Sequence, residues 1–249
     1  MGSGKKILLF VNVLMVSLVL SCSLANYSLL QAKPVASKPY MIAGKPVVLA
    51  LPKNYCVLDP KHPSDKTLID SVEKSVKGFN ELLVQFADCQ ELKDWRSGKQ
   101  KYLNNLGNYQ TSLKFKKTDM TGREADTIKE ICTLFKKQSE TLMDDIKPEI
   151  DRRVKEGFKN VEINKRKMIG VVHEDPSVCV TAAFQRLKTE SGTLKDQVNI
   201  SGVSVLNGRL IFSYLYTPYG DDQVVIDKSK GMMLDLNQDN QNANNKLKK

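Results

Sequence analysis

Two histidines, His62 and His173, and five cysteines are the residues of this 249-residue chain best suited to chemistry. His62 lies in DPKHPSD, between Asp59 and Asp65. An imidazole flanked by carboxylates can work as an acid–base pair or hold a divalent metal. The same run also suits a turn that caps a helix, because Asp and Ser side chains accept from free N–H groups at helix starts. His173-Glu174-Asp175 precedes Pro176 and reads as the polar end of a strand. No HExxH, GxSxG, P-loop or GxGxxG pattern occurs. No CxxC pair is present either, which removes thioredoxin-like and zinc-ribbon readings. The sequence therefore assigns no catalytic residue, no metal ligand and no cofactor. A non-catalytic protein with a binding or assembly role is the expectation. The alternative is a small periplasmic hydrolase or metal-dependent enzyme using His62 or His173 with nearby carboxylates.

The cysteines depend on the compartment, and the first 25 residues speak to that. Lys5 and Lys6 precede a 14-residue apolar stretch, Ile7 to Leu20, interrupted only by Asn12 and Ser17. Small residues follow, which is the layout of a secretory signal. The stretch is shorter than the roughly 20 residues a spanning helix needs. Ser23-Leu24-Ala25 places small residues for cleavage after Ala25. Val19-Leu20-Ser21-Cys22 offers the alternative of a lipobox with Cys22 lipidated. The expected location is exported, periplasmic or secreted, with a lipoprotein anchored at Cys22 as the alternative. Contact with a membrane is expected only if Cys22 is lipidated or the signal stays uncleaved.

Cleavage after Ala25 leaves Cys56, Cys89, Cys132 and Cys179, an even number in an oxidising compartment. Cys56 follows an expected strand, Lys45 to Pro52, and Cys89 follows another, Glu81 to Ala87. A helix between them can bring both strand ends to one sheet edge, so a Cys56–Cys89 disulfide is predicted. Cys132, beside the apolar stripe of a long helix, and Cys179, in a strand facing it, form a possible second bridge or stay as buried thiols.

Those cysteines need a scaffold, and its pattern is mixed. PSDKTLIDSVEKSVKG (63–78) opens with Ser64 or Asp65 as cap and carries Leu68, Ile69, Val72 and Val76 at helical spacing. A short helix covers CQELKDWRSG, and Tyr109 to Phe115 alternates as a strand. The longest helical stretch runs from Thr121 to Phe158, with an apolar stripe from Ile128 to Phe158. Pro148 is expected to kink or restart it. The last third is strand-rich. Val198 to Val205 and Leu210 to Tyr216 meet at Asn207-Gly208, a dipeptide suited to a type I′ hairpin turn. GDDQVVIDKSKGMMLDLN closes the domain as a helix. This order predicts α+β, an antiparallel sheet covered by helices in an α/β/α sandwich. The expected organisation is a signal at 1–25, a mobile leader at 26–44, one α+β domain at 45–236 and a disordered Asn/Lys-rich tail at 237–249.

The net charge is +10, or +8 once Lys5 and Lys6 leave with the signal. Lys93, Arg96, Lys99, Lys101, Lys114, Lys116 and Lys117 gather between residues 93 and 117, interleaved with Trp95, Tyr102, Tyr109 and Phe115. In an exported chain such a segment meets an anionic envelope component or lipid surface rather than nucleic acid, or is a solvated face. The expected partner is a protein or such an anionic component. Asn26 and Asn199 each begin a glycosylation triplet, NYS and NIS.

PKNYCVLDPKHPSD, QFADCQELKDWRSG and GRLIFSYLYTPY resemble segments of uncharacterised exported bacterial proteins. The element order is similar to the PsbP-like fold, an α/β/α sandwich of antiparallel strands. That resemblance implies an accessory or assembly role.

Overall fold

The computed structural model describes residues 39–158, 161–189, 192–220 and 222–247, without the side chains of 138–147, 150, 161 and 222. The signal, Cys22, Ala25 and most of the leader lie outside the described residues. In chain order the elements are β1 (Tyr40–Ile42), β2 (Lys45–Val47), β3 (Tyr55–Val57), α1 (Pro63–Val76), β4 (Asn80–Asp88), α2 (Cys89–Arg96), β5 (Leu106–Ser112), α3 (Glu124–Gly157), β6 (Val161–Asp175), β7 (Val178–Thr189), β8 (Leu194–Leu206), β9 (Arg209–Pro218) and α4 (Asp222–Lys246). Strands β3 to β9 make one antiparallel sheet in the order β3-β4-β5-β9-β8-β7-β6. The α+β architecture expected from the pattern is the one observed.

Alternation along the strands gives the sheet two differently filled faces. On one face Val84, Phe86, Tyr109, Val180, Ile200, Ile211 and Leu215 pack with Ile226, Met233 and Leu236 of α4 and with Leu49 and Leu51. On the other, Val203, Val205 and Leu210 pack against Ile128 and Cys132 of α3. The Cys132–Cys179 disulfide joins α3 to β7 inside this second cluster. Cys56 and Cys89 are also bridged, with Cα atoms 5.0 Å apart. The pairing is the one expected but the geometry is not: Cys56 lies within β3, a strand separate from 45–52 that runs antiparallel to β4, opposite Ala87 and two residues before Cys89.

The Asn207-Gly208 turn has φ of +47° and +74°, both in the left-handed region that a type I′ turn requires. It pairs β8 with β9 without a register break. Arg209, just after the turn, is buried and donates to the carbonyls of Ile42, Ala43 and Thr118. Its guanidinium thereby pins the β1–β2 hairpin to the sheet.

Four expectations need correction. The 45–52 segment is not one strand. It pairs as β2 only to Val47, and Val48 to Leu51 then runs buried outside both sheets. The leader is ordered from Tyr40 onward, because β1 pairs with β2. Pro148 lies inside one continuous helix of 34 residues rather than restarting it. Its missing N–H removes one rung, and Arg152 and Arg153 brace the following turn through Glu149. Finally, the 237–249 tail continues α4 to Lys246, with Asn237, Asn240 and Asn244 buried.

The reason for the last correction lies in the first. Asn244 Oδ1 accepts from the Val48 N–H at 3.0 Å, and its Nδ2 donates to the Val48 carbonyl at 2.7 Å. Asn240 Oδ1 accepts from the Ala50 N–H at 2.6 Å. The Ala50 carbonyl accepts from Tyr109 Oη, which accepts in turn from Asn240 Nδ2. Asn244 thus supplies Val48 with both the donor and the acceptor that a neighbouring strand would present, and at Ala50 Asn240 supplies the acceptor and Tyr109 the donor. A buried backbone demands such partners, and a tail poor in apolar residues is held by meeting that demand.

Candidate functional site

Neither histidine heads a cluster. His62 is the N-cap residue of α1, with Nδ1 3.4 Å from Asp65 Oδ1. Asp65, expected as a possible cap, instead turns inward and is fully buried. It accepts from the Asp59 N–H at 2.8 Å and from Nε and Nη2 of Arg96. Burial works to raise its carboxyl pKa, but Arg96 and the Asp59 N–H outweigh it, and the value falls below the usual range. Asp65→Asn is expected to cost about 2–3 kcal/mol at neutral pH, because Arg96 loses its charged acceptor. The depressed pKa makes this contribution full above the ordinary Asp range and lost as pH falls through the folded value. Urea denaturation of wild type and variant at pH 7 and pH 3 checks it: the gap narrows in acid.

His173, on β6, places Nε2 2.9 Å from Asp175 Oδ2. Asp175 Oδ1 accepts from Ser177 N, Ser177 Oγ and Val178 N, which forms the β6–β7 turn. The two histidines stand towards opposite edges of the sheet, on the order of 25 Å apart along it at about 4.8 Å per strand. Among the described residues no three His, Cys, Asp or Glu side chains come together as a metal site.

The basic segment is split. Lys93, Arg96, Lys99 and Lys101 precede β5, and Lys114, Lys116 and Lys117 follow it, so the seven-residue strand separates them by roughly 20 Å. Arg96 is committed to Asp65 and Lys116 to Glu81. Tyr109 points into the core, and Trp95 packs on Leu92 and Leu58. Lys93, Lys99, Lys101, Lys114 and Lys117 are exposed, each group at its own end of the strand.

A different set of residues is gathered on the α3 side of the sheet. Register places Gln85, Asn108, Tyr214, Ser201 and Thr181 in one row across β4, β5, β9, β8 and β7. The next row holds Tyr216 and Asn199, and another holds Gln197, Gln185 and Arg166. They share a face with Val203 and Val205, which touch α3, because alternate residues of a strand point the same way. Gln85 is 3% exposed and Asn199 5%. A hydrogen-bonded chain links Asn80 to Gln110 and Gln110 to Asn108. Ser201 Oγ donates to Asn199 Oδ1 at 2.7 Å.

The rest of this polar floor is unpaired. Both amide atoms of Gln85, Nδ2 of Asn199, and Nε and Nη1 of Arg166 are enclosed without a hydrogen-bond partner. Burial raises the Tyr214 and Tyr216 phenol pKa values, yet both keep accessible surface. The α3 side of the sheet thus carries a largely enclosed polar floor whose donors and acceptors are incompletely met. The end of α3 closes against α1, where a Cβ on Gly157 would meet the Ser71 carbonyl at 2.3 Å. Surface grooves exist elsewhere, one along α3 lined by Met120, Arg123, Thr127, Ile131 and Leu210. They lack the concentration of enclosed, unpaired polar atoms that marks this polar floor.

Sequence reasoning missed these residues. VNISGV alternates as any strand with a wet outer face does, so Asn199 and Ser201 read as solvent-facing. The burial of Asn199 also removes its triplet as a glycan acceptor in the folded domain; Asn26 lies outside the described residues. The one available signal was amide-rich alternation in LVQFA, GNYQT and VNIS, where outward positions carry Gln and Asn rather than charge.

No helix among the described residues is long and apolar enough to cross a membrane. Neither a family model nor a curated protein matches this chain. Among solved structures, the Saccharomyces cerevisiae Ran-binding protein Mog1p is similar over 83% of this chain and 92% of its own, at 8% identity and a TM-score of 0.33.

Proposed function

We propose that this chain is an exported, non-catalytic, disulfide-braced binding protein and that the α3 side of its sheet holds a recess for a small polar ligand. The carrying observation is the pair of buried, unpaired amides, Gln85 and Asn199. Leaving a buried polar group unsatisfied costs about 1–3 kcal/mol, and such groups are retained where something else completes their hydrogen bonds. Two disulfides, the Cys132–Cys179 bridge fully buried, and the signal-like first 25 residues support export. A protein or anionic envelope partner stays as the wider role that the recess would serve.

Protein recovered from outside the cytoplasm tests the reading. It is expected to begin at Asn26 and to carry a low-mass non-covalent adduct in native mass spectrometry. Gln85→Leu and Asn199→Leu are expected to shed that adduct while raising the melting temperature of ligand-free protein by about 2–4 °C each, an unpaired amide being exchanged for an apolar group. An adduct-free wild type, or leucine variants that lose stability, would count against the recess as a binding site.

A further inference from the structure

Two turns stand side by side at the end of the sheet where β4 begins and β5 ends. Gly78, with φ of +87°, takes the chain out of α1 and into β4. The chain leaving β5 continues as turn from Leu113 to Lys117. The Leu113 N–H donates to the Phe79 carbonyl at 2.8 Å and fastens one turn to the other. Phe79 is 56% exposed, Leu113 44% and Phe115 40%. Single exposed apolar side chains are ordinary on a protein surface, but three on two joined turns make a patch. Arg153 of α3 stacks on Phe79, 3.3 Å from the ring centroid, and holds the ring in place. Lys74, Lys77, Lys114, Lys117 and Arg123 surround the patch, all exposed. Of the nearby carboxylates, Glu81 is taken up by Lys116, Asp70 by Lys66 and Asp119 by Lys45. Glu73 on α1 and Glu130 on α3 stand at the two margins, so the balance around the patch is positive.

We infer that these two turns dock the protein on an anionic lipid surface, with Phe79, Leu113 and Phe115 entering the boundary between headgroups and acyl chains. The run SLKFKKT sets its apolar side chains among lysines and contains no acid. A protein interface gathers its apolar residues in a core depleted of lysine. A lipid surface takes both kinds at once: the rings and the leucine go down, and the lysine stems reach back up to the phosphates. Each lysine at such a surface strengthens the attraction by about fivefold. The contact needs neither a lipid on Cys22 nor an uncleaved signal. It is also independent of the polar floor as a binding site.

Vesicle cosedimentation of the chain from Asn26 onward, which excludes Cys22, tests this. The probes are vesicles of phosphatidylcholine alone and of phosphatidylcholine mixed with phosphatidylglycerol. Binding to the mixed vesicles is expected to be at least about tenfold tighter than to the neutral ones. Lys77→Ser with Lys114→Ser and Lys117→Ser should weaken it by about a hundredfold. Lys93→Ser with Lys99→Ser and Lys101→Ser, at the other end of β5, should leave it unchanged. Phe79→Ser with Phe115→Ser should weaken it by about tenfold. Phe79→Trp keeps a ring at the turn and reads insertion directly. Its emission should move to shorter wavelength on mixed vesicles and be quenched by bromine-labelled acyl chains. Trp95, the only native tryptophan, lies before β5 and should keep its emission. Equal affinity for the two kinds of vesicle overturns the inference. So does binding to neither, which leaves the patch to a protein partner. Equal losses in the two lysine variants show diffuse positive charge rather than these turns, and overturn it as well. Bound Phe79→Trp protein whose emission neither shifts nor is quenched overturns the insertion, whatever the stability of the serine variants.

Discussion

Deleting residues 237–249 is expected to unfold the domain or leave it barely folded at 25 °C. The deletion removes Asn240 and Asn244, and with them the partners of the Val48 N–H and carbonyl and of the Ala50 N–H. Those three backbone groups lie in residues at most 7% exposed. Each becomes an unsatisfied buried group costing about 1–3 kcal/mol. Tyr109 loses the Asn240 donor, and Asn237 leaves its contact with Ser177 Oγ. The sum reaches most of the about 5–15 kcal/mol that holds a typical domain together. Asn240→Ala with Asn244→Ala should cost about 3–5 kcal/mol, short of the deletion, because the α4 backbone remains. Thermal melts by circular dichroism decide. A truncated chain that melts with the full-length protein would mean that the tail contributes nothing and that 48–51 finds its partners elsewhere.

The second large effect belongs to the buried bridge. Cys132→Ala with Cys179→Ala should cost about 4 kcal/mol, since the bond closes a loop with a sequence separation of 47 and the entropy of that loop is otherwise free in the unfolded chain. For a domain of this size the melting temperature should fall by about 10 °C. Removing Cys56–Cys89, with a separation of 33, should cost somewhat less. It lies beside an edge strand, whereas Cys132 and Cys179 are fully enclosed and also leave a hole in the α3 cluster. Urea titrations of the two double variants rank them. A Cys132/Cys179 variant as stable as wild type would show that packing alone secures α3 on β7.

Local signals in the sequence proved sound where their cause is local. Asn207-Gly208 forms the hairpin because no other dipeptide nearby tolerates two left-handed residues so readily. Cys56 and Cys89 were placed together by the return of one helix, and β3 does run back along β4. The errors arose where one segment depends on another far along the chain. Val48 to Leu51 has strand composition, yet its hydrogen bonds go to amide side chains nearly 200 residues later. NQDNQNANNKLKK looks unable to fold because composition counts apolar area, and its contribution here is hydrogen bonding to buried backbone. The polar floor was hidden for a related reason. Alternation says which residues share a face, and only the arrival of α3 decides whether that face is wet.

Val48 and Asn244 are separated by 196 positions. Synthesis delivers them in that order, at about 5–20 residues per second, so the start of the domain waits for its end. Until Asn244 emerges, the segment after β2 has no means of completing its backbone bonds. A ribosome-bound or partly translocated chain lacking its last dozen residues is therefore an open form, and protease should cut it between β2 and β3. The domain becomes native as a post-translational event, timed by the final turns of α4 rather than by the sheet they cover.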